Sequence, residues 1–318
     1  MEEFQPFETV VPGSTANLGS GFDSIGMALD RFLRLHIEPS DQLELDPKGE
    51  ALAQVERGRD NLVFRVMEQL FRKAGQQMPS LRIVAESDIP LARGLGSSAA
   101  AIVAGLMAAN YLLGKPFSRK ELFREATEWE GHPDNVGASL FGGVVIASWD
   151  GEQVHRVSAP VPPFQLVAAI PRVSLATSRA REVLPASISH GEAVLGSSRA
   201  NLLTAALLTG DGELLRVGMK DRFHQPYRMA LVPGLEELIQ EAENYGALGV
   251  ALSGAGPTVV AFASDPDSVV RYMERVFQRL DVEADIIRLR PSGQGAVVRL
   301  TGEEPRSKLV GNIKGASR

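Results

Sequence analysis

PLARGLGSSAA, residues Pro90–Ala100, places two glycines and two serines directly before a long apolar run. The glycines permit positive φ angles and let the backbone approach a ligand closely. Ser97 and Ser98 open a segment that predicts a buried helix over Gly96–Leu113. The free amides and positive dipole at a helix start suit a phosphate, and the serine hydroxyls add a phosphate contact or a Mg²⁺ ligand. The stretch therefore predicts a phosphate-binding loop.

Other interpretations of this loop stay open at this point. It is not a Walker A loop, because no Gly-Lys-Ser/Thr follows the glycines. Its spacing matches GxGxxA, a form of the dinucleotide fingerprint, but that motif normally follows the first strand of a parallel sheet and needs an acidic ribose ligand about 20 residues later. A tight turn that only caps a helix is the remaining alternative.

Length, charge and cysteine content restrict the class of protein. The chain has 318 residues, which predicts two domains, and its formal net charge of −6 disfavours nucleic acid as a partner. Without cysteine there is no disulfide, thiolate nucleophile or cysteine zinc site. The acidic start MEEFQPFETV does not resemble a signal peptide, and no apolar run reaches the ~18 residues of a membrane span. We expect a soluble, cytoplasmic protein without a membrane partner.

Residue periodicity predicts mixed helices and strands in both halves of the chain. In the first half, apolar runs predict strands at Phe7–Val11, Leu33–Glu38, Leu81–Ser87 and Gly142–Trp149. Helical spacing covers Asn61–Gly75 and Gly96–Leu113, and Ser118 with Glu121 forms a capping-box pattern.

The Pro-rich stretch Ala159–Phe164 marks the boundary between two predicted domains, Met1–Ser158 and Ala159–Arg318. Beyond it the patterns again alternate, with strands predicted at Phe164–Ile170, Gly249–Ser253, Thr258–Ala263 and Val282–Leu289. Helices are predicted at Ser189–Thr209, Leu235–Tyr245 and Pro266–Leu280. The fold class that follows is α+β.

Two further stretches accompany the glycine loop, VPGSTANLGSGFDSIGMALD at Val11–Asp30 and LSGAGPTVVAF at Leu252–Phe262. Together with Pro90–Ala100 they resemble, in order and position, the three motifs of the GHMP kinases, over nearly the whole chain. The resemblance implies a ribosomal S5-like N-terminal domain that binds ATP and a ferredoxin-like α+β C-terminal domain that binds the second substrate. It also implies Mg²⁺, a ligand cleft between the domains, and a homodimer.

Three more stretches resemble one branch of that family, whose substrate is the amino acid L-homoserine. They are EGHPDNV at Glu130–Val136, TSRAREVLP at Thr177–Pro185 and DRFHQPYR at Asp221–Arg228. The chain departs from the usual first motif at Thr15 and Ser20, where the family has Ser and Pro, and reads NVGASL where the branch often has NVAPAL. None of these changes removes a polar group that the chemistry needs.

The resemblance implies a site for the carboxylate, ammonium and hydroxyl of this substrate. Guanidinium groups of Arg181 and Arg228 match a carboxylate bidentately, although a lone arginine is more often a surface cation. Asp23 accepts from the ammonium and Asn17 orients the hydroxyl or amine, although both are also turn residues. The complete implied substrate set is Asn17, Asp23, His132, Thr177, Arg181, Arg228 and Gly254.

For the nucleotide, the resemblance implies the whole glycine loop and one asparagine. These residues are Pro90, Leu91, Ala92, Arg93, Gly94, Leu95, Gly96, Ser97, Ser98, Ala99, Ala100 and Asn61. Asn61, in DNLVF, fits a contact to adenine and equally fits the N-cap of the following helix. Mg²⁺ is expected on Ser98 and on Glu130, with Glu128 and Glu125 as competing carboxylates or as a solvated helix face.

The chain has Asn135 where some GHMP kinases have an aspartate that takes the hydroxyl proton. A neutral amide does not accept that proton, so we expect in-line transfer without a dedicated base. Asn135, Ser98, the loop amides and the metal then supply positioning and charge stabilisation, with Asp134 as the competing base. Two alternatives remain: a GHMP kinase for another alcohol, and a non-catalytic ligand sensor on the same scaffold.

Overall fold

The structure, a computed structural model of the chain, describes residues 4–49, 52–53 and 55–301. Within these ranges the strands are β1 Phe7–Asn17, β2 Gly21–Pro39, β3 Glu44–Pro47, β4 Leu81–Ser87, β5 Val144–Trp149, β6 Val154–Ala159, β7 Gln165–Pro171, β8 Ala247–Leu252, β9 Val259–Ala263, β10 Ala284–Leu289 and β11 Val297–Leu300. Among the helices of the described residues, none combines the length and apolar composition needed to cross a membrane.

The α-helices of the same ranges are α1 Leu62–Lys73, α2 Ser97–Leu112, α3 Arg119–Glu130, α4 Asp134–Phe141, α5 Thr177–Glu182, α6 His190–Thr209, α7 Gly212–Gly218, α8 Gln225–Arg228, α9 Leu235–Glu241 and α10 Pro266–Arg279. Local signals explain where several of them begin. Asn61 caps α1 by accepting from the Val63 amide, and Ser118 with Glu121 forms the predicted capping box at α3. Both predictions are confirmed.

Seven strands build the first sheet, in the order β11-β1-β2-β4-β3, with β5 and β6 continuing from β2. The long strands β1 and β2 form its centre as an antiparallel pair with a register shift between Pro12 and Ser14. Helix α2 is apolar on every side and lies buried among β1, β2 and α1, as expected for a helix without a polar face.

The second sheet has four antiparallel strands in the order β10-β7-β9-β8. Helices α5 to α9 connect β7 to β8, and α10 connects β9 to β10, which is the βαββαβ order of a ferredoxin-like domain. Packing of α9 and α10 on this sheet buries a core of its own, around Phe277 and Val259. The predicted α+β class is confirmed.

The domain boundary at Ser158 and Ala159 stays a prediction. One strand of the predicted C-terminal range, β11, lies in the first sheet, where Val297 pairs with Val10 of β1. The chain before it is held there too, because the Ala296 amide donates to the Ser139 carbonyl at 3.0 Å.

Candidate active site

One pocket collects residues from all three motif stretches. The end of β1, the start of β2, the loop before α2 and the loop after β8 line it, together with the α3–α4 connection, α5 and α8. The predicted site residues that line it are Asn17, Asp23, Ala92, Gly94, Gly96, Ser97, Ser98, Glu130, His132, Asn135, Thr177, Arg181, Arg228 and Gly254. The predicted residues that do not line it are Asn61, Pro90, Leu91, Arg93, Leu95, Ala99 and Ala100.

The predicted phosphate-binding loop ends in a left-handed residue that starts a helix. Gly96 is the N-cap of α2, with φ 71°, and provides no side-chain hydrogen bond to the first turn. A Cβ at Gly96 would collide with Ser14, and one at Gly94, with φ 80°, would collide with the Ser253 carbonyl. These glycines therefore allow the three motifs to pack backbone to backbone, and they leave first-turn amides of α2 facing the pocket.

Residues of the loop that do not line the pocket have other positions. Leu95, Ala99 and Ala100 are buried in the hydrophobic core, where they anchor the start of α2. Asn61 lies outside the pocket as well, and both ends of its amide are occupied locally. Its Oδ1 accepts from the Val63 amide at 2.8 Å and its Nδ2 donates to the Glu56 carbonyl at 2.6 Å. The contact of Asn61 to adenine stays a prediction.

Two hard oxygen ligands lie side by side at the start of α2. Ser98 Oγ donates to Glu130 Oε2 at 3.2 Å, and Glu130 is the last residue of α3. Burial raises the pKa of the Glu130 carboxyl above its ordinary value, against the opposing effects of His132 and Ser98. The competing carboxylates lie elsewhere: Glu128 accepts from Arg124 on an exposed face, and buried Glu125 is paired with Lys73. A hydroxyl and a carboxylate beside free helix amides fit Mg²⁺ with a bound triphosphate.

Asp23 and Arg181 form a bidentate ion pair across the pocket. Arg181 Nη1 and Nη2 lie 3.0 and 2.8 Å from the two carboxylate oxygens, and this hydrogen bonding raises the pKa of Arg181. Asp23 is held in a left-handed conformation with φ 52°, and its amide donates to Asn17 Oδ1 at 2.9 Å. Asn17 Nδ2 in turn donates to the Gly254 carbonyl at 2.9 Å, which joins the first motif to the third.

Arg228 is a fully buried cation, only 1% exposed. Its Nε donates to the Ala180 carbonyl at 2.8 Å, and its Nη1 lies 3.1 Å from His224 Nδ1 and 3.3 Å from the Gly254 carbonyl. Burial first and the charge of Arg181 second lower its pKa to about 10, so it remains cationic at neutral pH. No described residue accepts from Nη2, and the guanidinium lines the pocket.

His132 is a protonated side chain among carboxylates. Its Nδ1 lies 2.5 Å from Asp134 Oδ1. One ring nitrogen of His132 and one carboxylate oxygen each of Asp23 and Asp134 lie within 4.8 Å of one another. Burial on its own lowers the pKa of His132, but the Asp134 charge and hydrogen bond, with Glu130 and Asp23 behind them, raise it to about 9. At neutral pH the ring is therefore an imidazolium that neutralises these carboxylates, and its Nδ1 offers no lone pair to a metal.

Asn135 follows directly in α4 and is nearly buried. Ser14 Oγ donates to Asn135 Oδ1 at 2.9 Å, which leaves the amide nitrogen on the side of Gly254 and the pocket. Oδ1 of the preceding Asp134 accepts from the backbone amide of Asn135 at 2.7 Å, and the same oxygen contacts His132. The two side chains thus differ in role, because Asn135 presents a donor to the pocket and the Asp134 carboxylate is engaged by two donors.

Some pocket residues were not predicted from the sequence as site residues. They are Phe22, Leu175, Ala176, Ala255 and Gly256, with Asp134 considered only as a competing base. The Phe22 ring lies near both guanidinium groups, with its centroid 5.7 Å from Arg181 Cζ and 5.4 Å from Arg228 Cζ. A signal for it was present, since Phe22 is an aromatic residue between two motif residues, Gly21 and Asp23.

Comparison with known families defines the class of protein. The model of the GHMP kinases N terminal domain matches residues 61–143, and the model of the GHMP kinases C terminal domain matches residues 203–280. The two matches cover half of the chain, and both contain residues that line the pocket. The chain belongs to the GHMP kinase family, and the two-domain α+β fold expected from its motifs is confirmed.

Similar proteins within that family carry a more specific name. The homoserine kinase of Carboxydothermus hydrogenoformans is 45% identical, with 91% of this chain and 95% of that protein aligned. The homoserine kinase of Moorella thermoacetica is 44% identical over 91% of this chain and 98% of the relative. The crystal structure of homoserine kinase from Cytophaga hutchinsonii superposes with a TM-score of 0.80 at 29% identity, covering 94% of this chain and 98% of the other.

Proposed function

We propose that this protein transfers the γ-phosphoryl group of ATP to the hydroxyl of L-homoserine, giving O-phospho-L-homoserine and ADP for threonine synthesis. Relatives at 44–45% identity over 91% of the chain bear the name homoserine kinase. The single observation that carries the proposal is the convergence, at the start of α2, of Asp23, Arg181 and Arg228. A carboxylate and two guanidinium groups beside a phosphate site match a zwitterionic amino-acid alcohol.

The ion pair of Asp23 with Arg181 provides a physical route for binding a zwitterion. The substrate carboxylate replaces Asp23 on Arg181 and also meets the free Nη2 of Arg228. The substrate ammonium takes the place of Arg181 on Asp23. Each of these partly exposed charges keeps an opposite partner in this exchange, so the electrostatic cost of opening the ion pair stays small. Sugars lack the carboxylate, and mevalonate lacks the ammonium.

ATP occupies the loop Pro90–Ala100, with its phosphates against the first-turn amides of α2. Ser98 and Glu130 would hold Mg²⁺, which when bound would supply positive charge to the triphosphate. Thr177, the first residue of α5, faces the same pocket and orients the substrate. These assignments place the γ-phosphoryl group between the helix start and the amino-acid site.

The transfer proceeds without a dedicated base. A loose transition state makes little demand on deprotonation of the hydroxyl, so its proton passes to a γ-phosphate oxygen as the new O–P bond forms and the bond to ADP breaks. Asp134 is assigned a structural role, because its Oδ1 already accepts from the His132 imidazolium and from the Asn135 backbone amide. The Asn135 amide nitrogen and the α2 amides stabilise the charge that develops on the transferring group.

An assay of ADP release with three alcohols tests the proposal. The purified protein with MgATP is expected to release ADP with L-homoserine, with phosphate found on the homoserine hydroxyl, and not with mevalonate or galactose. Turnover of mevalonate or galactose instead would support the alternative of another GHMP kinase. Binding of ATP and homoserine without turnover would support a ligand sensor and contradict the proposal.

A homodimer, the cytoplasmic location and the domain division at Ser158 and Ala159 complete the proposal. The homodimer rests on family resemblance, and light scattering of the purified chain tests it directly. A mass near twice 34.2 kDa is expected, and a mass of one chain would contradict the dimer.

A further inference from the structure

His224 lies between Arg228, which is proposed to bind the substrate carboxylate, and Gly19 of the first motif. It is 0% exposed and precedes α8 in the stretch DRFHQPYR. Its Nδ1 lies 3.1 Å from Arg228 Nη1, and its Nε2 lies 2.9 Å from the Gly19 carbonyl. The His224 side chain thus connects Arg228 to the turn between β1 and β2, which Asn17 and Asp23 flank.

The two hydrogen-bond partners of the His224 ring are compatible with only one protonation state of that ring. A carbonyl oxygen only accepts, so Nε2 must carry the proton that it donates to Gly19. A guanidinium only donates, so Nδ1 must be an unprotonated acceptor toward Arg228. His224 is therefore a neutral imidazole with its proton on Nε2. Burial, which lowers the pKa of this ring, acts in the same direction.

Neighbouring side chains hold the ring in this orientation. Asp221 accepts from the backbone amides of His224 and Gln225 at 2.8 and 2.6 Å, which fixes the backbone from which the ring projects. The ring stacks on Phe22, with centroids 4.9 Å apart and planes 20° apart. Since Phe22 also lies against both guanidinium groups, the stack links His224 to the whole carboxylate site.

We propose that His224 is a positioning residue for the amino-acid substrate, acting through its Nδ1 on Arg228 and through its Nε2 on the Gly19 turn. It directs the free edge of the Arg228 guanidinium to the substrate carboxylate. This inference rests on the proposed function, because the ligand that it serves is the carboxylate of homoserine. It assigns no contact between His224 and substrate.

Substitutions separate the two nitrogens of the ring. In His224→Asn, the side-chain oxygen replaces Nδ1 as acceptor for Arg228, and the bond to Gly19 is lost. In His224→Gln, the longer amide keeps a donor for Gly19 and loses the acceptor for Arg228. Each variant loses one of two buried hydrogen bonds, so a merely structural role predicts similar effects from both. His36→Asn, on β2 away from the pocket, is the matched control.

The readouts are KM for L-homoserine, KM for ATP, kcat and the thermal midpoint. We expect His224→Gln to raise the homoserine KM at least about tenfold, the loss expected for one hydrogen bond to a charged group, and His224→Asn to raise it less than about threefold. The ATP KM should stay within about twofold in both. Equal homoserine KM values in the two variants, or a parallel rise in the ATP KM, would overturn the proposal.

Phe22→Leu keeps the proposal testable where a His224 variant fails to fold. It removes the ring stack from a half-buried position, and we expect the homoserine KM to rise about 2- to 10-fold, with the ATP KM unchanged. An unchanged homoserine KM in Phe22→Leu contradicts the role of the stack. Absence of homoserine turnover in the wild-type protein refutes the proposed function itself. If the wild type is active and the His224 variants leave the homoserine KM unchanged, only the role of His224 is refuted.

Discussion

Replacing Asp134 by asparagine tests whether the phosphoryl transfer needs a base. The side chain introduced by Asp134→Asn keeps an oxygen that accepts from the Asn135 amide, so the start of α4 retains its local geometry. The variant loses the negative charge and any ability to take a proton. Loss of a true general base lowers kcat by about 10²–10⁴-fold. The base-free transfer instead predicts that kcat falls less than about tenfold, because the remaining contributions of positioning and charge stabilisation are intact.

The same substitution has a separate, calculable effect on stability. In the wild type, the pKa of His132 is raised from 6.5 to about 9, and that difference corresponds to about 3 kcal/mol of folding free energy. Because the folded-state pKa is the higher one, this stabilisation is complete below pH 6.5 and is lost as the pH rises through about 9. Removing the Asp134 charge removes most of it, so the variant should lose up to about 3 kcal/mol at pH 6 and little at pH 10.

Two assays separate the effects. Urea unfolding at pH 6, 7.5 and 10 measures the stability, and steady-state ADP release at saturating ATP and homoserine measures kcat. Asp30→Asn, at a half-buried position of β2 outside the pocket, is the control for removing one carboxylate, because asparagine keeps the oxygen that accepts from the Arg290 amide. A kcat lowered more than about 100-fold in a variant that is folded and binds both substrates would refute the base-free mechanism.

Three further substitutions test other parts of the site. Glu130→Gln should raise the Mg²⁺ concentration for half-maximal activity about tenfold or more, whereas Glu128→Gln should leave it unchanged; equal effects would contradict the assignment of Glu130. Arg181→Lys should raise the homoserine KM about 10- to 100-fold with little change in the ATP KM, because an ammonium does not replace a bidentate fork; an unchanged homoserine KM would contradict this role. Gly96→Ala combines backbone strain with a collision at Ser14, so it should lower the free energy of unfolding by about 2 kcal/mol or more and weaken ATP binding. Gly114→Ala has a similar φ but open space around the new Cβ, so it should lower the free energy of unfolding by only about 1 kcal/mol. Equal losses of stability in the two variants would contradict the packing argument.

Local signals in the sequence predicted the longer helices and several strands well, whereas the short helices α4, α5, α7 and α8 were not predicted. Asn61 and the Ser118–Glu121 pair identify helix starts because a cap depends on residues within one turn. Strand β4 was predicted with its observed bounds, Leu81–Ser87, because the alternation of its side chains is local. The helix predicted at Leu235–Tyr245 is shorter in the structure: α9 ends at Glu241 and a 3-10 turn completes it.

Elements that depend on distant partners were not predicted. Strand β1 continues to Asn17 through residues rich in Gly, Ser and Asn, which indicate a turn, because β2 pairs with its backbone over that length. Strands β3, β6 and β11 are short and carry weak patterns; β11 exists because β1 accepts it as an edge partner. Helix α4 begins inside the motif Glu130–Val136, where the sequence indicated only chemistry.

For the candidate site, too, individual residues were predicted from the sequence and their distant partners were not. Motif residues such as Asn17, Glu130 and Arg181 were named from the sequence, and the structure brings them into one pocket. Their partners were not predicted, since Asp23 and Arg181 are 158 residues apart and Gly19 and His224 are 205 residues apart. No local pattern reports such a pair; only the packing of the two sheets does.

The most direct measurement is a crystal structure with a non-hydrolysable ATP analogue, Mg²⁺ and L-homoserine bound together. We expect the triphosphate against the first-turn amides at Ser97 and Ser98, the amino-acid carboxylate on Arg181 and Arg228, and its ammonium on Asp23 after the Asp23–Arg181 pair has opened. A triphosphate bound away from the start of α2, or both arginines turned from the carboxylate while Asp23 stays paired with Arg181, would contradict the account.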